Sequence, residues 1–227
     1  MQKIPHLVYG PDGNRRYAVE NKISFQEAYQ LAAEKTISLV DWCFEDDLVG
    51  ELSLWVLQEH NFHRLPEHIE PLIKTIVEYI KDIGDSEVVE KYNLQVNLVG
   101  EMDHFVNNHG DALSDFMGRF SGKNGKTVNV LIAYNGSNEL NRAWKKCLSE
   151  DIEPNFVNLS KNWSIPPVTL FYRTAQPNGF NRLTDYFPGV ETARLSSTPT
   201  YPQDLTKKEF TGMIESYMTL KDSYDRL

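Results

Sequence analysis

Two cysteines, Cys43 and Cys147, are all the thiols in 227 residues. They show no C-x-x-C and no metal-ligand spacing, which excludes a dithiol centre or thiolate metal site and predicts two reduced, buried thiols. Positive charge is also scarce: 23 Lys and Arg against 32 Asp and Glu leave a net charge of −9. Without a Lys/Arg stripe there is no phosphate footprint for a nucleic acid, so no nucleic-acid partner is expected. No apolar run reaches the roughly 18–20 residues of a membrane span, and no integral membrane segment is expected. The opening "MQKIPHLVYG" lacks the long apolar stretch and small-residue cleavage site of a signal peptide, which predicts a cytoplasmic protein. Walker A and G-x-G-x-x-G patterns are absent as well, so ATP and NAD are poor candidates.

What the chain does have is alternation. Short apolar runs at 4–9, 51–58, 93–100, 126–134, 168–174 and 193–197 read as strands. Between and after them, helical patterns cover 24–47, 66–83, 103–121, 137–150 and 206–227. Ser24 with Glu27 forms a capping box that fixes the first of these helices. Ile69, Leu72, Ile73, Ile76, Val77 and Ile80 make one apolar face on the second. Strands alternating with helices imply right-handed crossovers and a mostly parallel sheet, hence one α/β domain over 1–227. The Pro-bounded segment 151–167 reads as a loop within it.

Open parallel sheets place ligands beyond the carboxyl ends of their strands. The segments there are "GPDGNRRYA", "QEHNFHRLP", "NGSNEL" and "RTAQPNGFNRLTDYFP". Three of them carry arginine: Arg15 and Arg16, Arg64, and Arg173 with Arg182. Fixed charge with a planar fork of donors suits phosphate, so a phosphate or diphosphate ligand is expected on one rim of an acidic protein. Asp12 has two uses among them: a magnesium ligand bridging diphosphate oxygens, or a turn cap paired with a neighbouring arginine. His60 and His63 flank the second loop, and His60 is a candidate proton acceptor. Trp42 and Trp55 read as core.

These loops resemble, in order, the motifs of the cis-prenyltransferases, the undecaprenyl diphosphate synthase superfamily. "DGNRRYA" is similar to D-G-N-G-R-W-A. "QEHNFHRLP" is similar to S-x-E-N-W-x-R-P, with Asn61, Phe62 and Arg64 matching. "NGSNEL" resembles G-G-R-x-[DE]-I, with Glu139 kept and Ser137 at the Arg position. "YRTAQPNGFNRLTDYFP" resembles R-T-x-G-E-x-R-x-S-x-F, with Arg173, Arg182 and Thr184 matching. The likeness spans nearly the whole chain. It implies a six-stranded parallel sheet flanked by helices, a homodimer, and an apolar tunnel between the sheet and the first two long helices. It implies an allylic diphosphate on Gly13, Asn14, Arg15 and Arg16, with Asp12 taking Mg²⁺. A second diphosphate would lie on Arg173, Arg182 and Thr184, with Asn61 and Arg64 near the reacting carbons.

The departures narrow the resemblance. Where elongating members carry an Arg and a His after the first motif, this chain has Phe25 and Tyr29. Arg15 stands where most relatives have glycine. The spacing Asn21, Ser24, Tyr29 after D-G-x-R-R resembles a divergent branch of the cyclolavandulyl diphosphate synthase type. A sixth-strand Glu that holds magnesium in elongating members aligns with Arg194, which could supply the same diphosphate with charge directly; a slipped register would offer Glu191 instead, and pairing of Arg194 with Asp12 would leave a dead site. Eight residues separate Arg173 from Arg182, where five is usual. The resemblance thus implies a prenyltransferase joining short allylic diphosphates, head-to-middle from dimethylallyl diphosphate units and with possible cyclisation. The alternatives are regular cis elongation with isopentenyl diphosphate and a non-catalytic partner subunit.

Overall fold

The computed structural model describes residues 3–83, 86–101, 120, 123–179, 187–188 and 192–224. Six strands form one parallel sheet: β1 (Ile4–Gly10), β2 (Val49–Trp55), β3 (Gln95–Val99), β4 (Thr127–Leu131), β5 (Leu170–Arg173) and β6 (Arg194–Ser197), in the order β3-β4-β2-β1-β5-β6. The helices are α1 (Asn14–Asn21), α2 (Phe25–Glu45), α3 (Pro66–Ile83), α4 (Glu87–Tyr92), α5 (Gly136–Ser149), α6 (Phe156–Ser160) and α7 (Lys207–Tyr224). The helix expected over 103–121 and the sites Arg182, Thr184 and Glu191 lie outside the described residues.

Both faces of the sheet are buried, as a parallel sheet requires. Period-two alternation assigns each side chain a face. On one face Leu7 and Tyr9 of β1, Leu52 and Leu54 of β2, and Leu170 and Tyr172 of β5 pack against Leu39, Phe44, Ile69, Leu72, Ile76 and Phe210. On the other, Val8, Trp55, Leu131 and Phe171 gather around Phe187. Lower on that second face a polar ladder crosses four strands. His6 Nδ1 donates to the Pro166 carbonyl at 2.9 Å, and Nε2 accepts from Ser53 Oγ at 2.7 Å. Asn129 continues it to Ser53, Glu51 and Asn97.

The caps follow the sequence where it is explicit. Ser24 Oγ accepts the Glu27 N–H at 3.1 Å and starts α2. Asn135 Oδ1 accepts from Ser137 and Asn138 and starts α5. Cys43 and Cys147 are free and buried. Five elements were not expected: α1, α4, the short α6 inside 151–167, and 3-10 turns over Glu59–His63 and Pro202–Asp204. Among the described residues no helix is long and apolar enough to cross a membrane.

Candidate active site

The order of the sheet reverses at β1, which has β2 on one side and β5 on the other. That switch point opens a crevice beyond the carboxyl ends of the strands. A cavity of about 510 Å³ lies there, walled by the loop after β1, the first turns of α1, α2 and α3, the 3-10 turn and the end of β5.

The loop after β1 is built by Gly13. Its φ of 99° is left-handed, and an added Cβ would sit 2.3 Å from the Ala175 Cβ. Only glycine fits there. The kink turns the chain into α1 so that Asn14, Arg15 and Arg16 open the helix, where N–H groups lack intrahelical acceptors and favour anions. Asn14 is held from both ends, donating to Pro11 O at 2.9 Å and accepting from Gln203 Nε2 at 2.8 Å.

Asp12 is the hub. Its Oδ2 accepts from Arg173 Nη2 at 2.7 Å, Arg173 Nε at 3.2 Å and Gln176 Nε2 at 3.1 Å. Oδ1 accepts the Gly13 N–H at 2.6 Å, with Arg16 Nη2 at 4.0 Å. Arg16 also donates to the Ala175 carbonyl at 2.9 Å. Among the described residues no three His, Cys, Asp or Glu side chains gather as a metal cage. Magnesium is commonly held by one or two carboxylates plus substrate phosphates, so Asp12, partly exposed on the rim, fits as a single protein ligand.

Arg15, Arg16, Arg64 and Arg173 line the cavity against Asp12 and Glu20, a positive excess within a chain of net charge −9. Burial, and then the like charge of Arg15, pull the Arg64 guanidinium below its ordinary value. Two uncompensated guanidinium groups facing one space are an anion site. Burial pushes the Tyr29 hydroxyl up and keeps it neutral, against the opposing pull of Arg64 and Arg15. Asn61 Oδ1 and Trp55 Nε1, on two residues that line the cavity, are buried and have no hydrogen-bond partner. Trp55 therefore belongs to both core and cavity.

Below the rim, a smaller apolar extension of about 60 Å³ runs between α2, α3 and the sheet, lined by Ala32, Ala33, Leu72, Ile76 and Tyr79 among others. Pro11, Asn14, Tyr29, Val56 and Leu72 line both spaces.

The structure therefore brings Asp12, Gly13, Asn14, Arg15, Arg16, Phe25, Tyr29, Asn61, Arg64 and Arg173 to one cavity. Two expected residues are elsewhere. His60 is exposed on the 3-10 turn and does not line the cavity, because that turn rotates it outward while Asn61 points in. Arg194 starts β6 and pairs in register with Leu170, three residues before Arg173, roughly 10 Å down the strand from the rim. Its guanidinium lies 5.8 Å over the Tyr217 ring of α7. It does not pair with Asp12; Arg173 does. Glu139 is a fully buried structural carboxylate, bonded by the Ser164 N–H and Arg142.

Sequence reasoning missed His68, Gln176 and Gln203. His68 faces Phe25 edge-to-face at 5.1 Å, with Nδ1 3.4 Å from Arg15 Nη1. Its only sequence signal is its place in the first turn of the helix that follows the second loop.

The comparisons with known proteins agree with this geometry. Residues 11–225 match the family model described as undecaprenyl diphosphate synthase. A tritrans,polycis-undecaprenyl-diphosphate synthase (geranylgeranyl-diphosphate specific) of Halobacterium salinarum is 27% identical, covering 93% of this chain and 73% of the relative. An isoprenyl transferase of Wolinella succinogenes is 25% identical over 97% and 96%. Among solved structures, lavandulyl diphosphate synthase from Lavandula x intermedia, in complex with dimethylallyl diphosphate, superposes with a TM-score of 0.82 at 19% identity over 95% of each chain. The chain belongs to the undecaprenyl diphosphate synthase family and is a prenyltransferase, a cis-prenyl diphosphate synthase.

Proposed function

We propose that this prenyltransferase joins two dimethylallyl diphosphates head-to-middle, giving a lavandulyl-type diphosphate that it can also cyclise. The observation that carries this reading is the small apolar extension under the diphosphate rim. Its volume of about 60 Å³ is well below the ~150 Å³ of a cavity that takes up benzene. Leu72, Ile76 and Tyr79 close on the space where a long prenyl tail would run, so five-carbon substrates are favoured. Phe25 and Tyr29 add apolar surface beside Arg15, at positions where elongating relatives carry charge. The lavender enzyme acts as a precedent for such a product on this fold, though its likeness speaks to fold alone.

The chemistry follows from the walls. Breaking the allylic C–O bond leaves a carbocation and puts the electron pair on diphosphate. Arg15, Arg16 and Arg64, with the opening N–H groups of α1, are preorganised donors for that charge. Phe25 and Trp55 present aromatic surface to the cation and exclude water. Arg173 serves the second diphosphate. Mg²⁺ on Asp12 would neutralise diphosphate oxygens as a Lewis acid. We read the protein as cytoplasmic and homodimeric, with the exposed Trp144 and Leu148 of α5 and Phe156 and Val157 of α6 as apolar surface suited to a second copy.

Regular cis elongation is the second reading, favoured by the names of the relatives at 25–27% identity. An assay with Mg²⁺ and dimethylallyl diphosphate alone, then with isopentenyl diphosphate added, separates the two. Branched ten-carbon alcohols after dephosphorylation of the first mixture support irregular coupling; product only from the second mixture supports elongation.

A further inference from the structure

Prenyl coupling ends with loss of a proton, and among the described residues the cavity lining holds one imidazole, that of His68, placed to receive it. We propose, on the reading of this cavity as the prenyl-coupling centre, that His68 Nδ1 is the proton acceptor of the final step. A guanidinium only donates hydrogen bonds. The approach of Arg15 Nη1 to 3.4 Å of Nδ1 therefore assigns the lone pair to Nδ1 and the ring hydrogen to Nε2, which lies 3.8 Å from Glu67 Oε1. The ring is oriented on its flank by Phe25, at 5.1 Å and 72°. Its own backbone carbonyl accepts from the Tyr29 hydroxyl at 3.4 Å, which ties α3 to α2 at this point. The charged and titratable groups around it are Arg15 from α1, Arg64 just before α3, Glu67 on α3 and Tyr29 on α2.

Arg15 is the link to the reacting carbons. A diphosphate is a stronger acceptor than an imidazole, so a bound diphosphate draws the guanidinium away from Nδ1. The lone pair is then exposed beside the carbon end of the same substrate. The allylic C–O bond breaks with its electrons going to diphosphate, and the acceptor's π pair forms the new C–C bond. A C–H bond of the resulting carbocation then breaks, its electrons forming the product double bond and its proton going to Nδ1. Water later carries that proton away. The other bases on the rim are engaged: Asp12 by Arg173, Gln176 and Gly13, and Glu20 by the Tyr201 hydroxyl at 2.6 Å. His60 and His63 are exposed outside the cavity.

The test compares wild type, His68→Ala and His68→Gln. Binding of dimethylallyl diphosphate with Mg²⁺ is followed by isothermal titration calorimetry, and turnover by product formation. The expected result is kcat lower by about 10²-fold in both variants, the usual range for a lost general base, with binding within about threefold. Added imidazole should raise kcat of His68→Ala, which has room for it, and leave wild type and His68→Gln unchanged. A kcat near wild type, a loss confined to binding, or a His68→Ala enzyme indifferent to imidazole would overturn the assignment. Absence of turnover in wild type itself, with or without isopentenyl diphosphate, would instead count against the coupling reading on which it rests.

Discussion

Arg173 donates to Asp12 Oδ2 through both Nη2, at 2.7 Å, and Nε, at 3.2 Å, across 161 positions of sequence. The contact bridges the ends of β1 and β5, where the sheet order reverses, so it ties together the two sides of the crevice. It also places a cation on the carboxylate proposed to hold magnesium.

That pairing separates two variants. On the proposed roles, Arg173→Ala should raise the second-substrate KM at least about tenfold while leaving allylic substrate binding near normal. Asp12→Ala should cut kcat by about 10²-fold or more with little change in melting temperature, since Asp12 is partly exposed. Steady-state kinetics with melting curves check both. A near-normal kcat for Asp12→Ala would remove it from the reaction.

Gly13→Ala tests the loop itself. The left-handed φ and the 2.3 Å approach to Ala175 leave no room for a methyl group. Strain of about 1–3 kcal/mol should displace the opening of α1. Turnover should fall by more than about tenfold, beyond any fall caused by incomplete folding, as read from circular dichroism and kinetics on the same sample.

Tyr79 closes the apolar extension with a buried hydroxyl that has no hydrogen-bond partner. Tyr79→Phe removes that unsatisfied group and should be as stable as wild type or more so by about 1 kcal/mol. Tyr79→Ala should be less stable, yet accept geranyl diphosphate as allylic substrate where wild type does not. Urea unfolding and a competition assay between dimethylallyl and geranyl diphosphate read the two effects.

His6 gives a pH dependence away from the site. Burial is the largest influence and lowers its proton affinity in the folded state, opposed by Glu51 and its carbonyl partners. The unfolded chain therefore binds this proton more readily than the native one, and stability rises with pH. The contribution is complete above the ordinary histidine value of about 6.5 and falls as pH drops below it, by at most about 1.4 kcal/mol per pH unit for one proton. Urea unfolding at pH 7.5 and pH 5.5 should show a decline that His6→Asn reduces.

The sheet, α2 and α3 were legible because their apolar periodicities and the Ser24 cap are local signals. So were the arginines at the strand ends, since parallel topology collects those loops. α1 was hidden because "NRRYAVEN" has almost no apolar stripe; it is made helical by the Gly13 kink and by packing on α2. His68 was hidden because its partners Arg15 and Phe25 are more than forty residues away in sequence. Arg194 falls in the sixth strand as its motif spacing implies, but its depth below the rim was not legible, because the register with Leu170 decides that.

The most direct test of the coupling reading is the carbon skeleton of the product. The enzyme is incubated with Mg²⁺ and dimethylallyl diphosphate of which half is ¹³C-labelled at C1 and half at C2. Head-to-middle coupling predicts a branched ten-carbon product whose NMR spectrum shows one-bond ¹³C–¹³C coupling between the two labels. No product until isopentenyl diphosphate is supplied, or a product without that coupling, would contradict it.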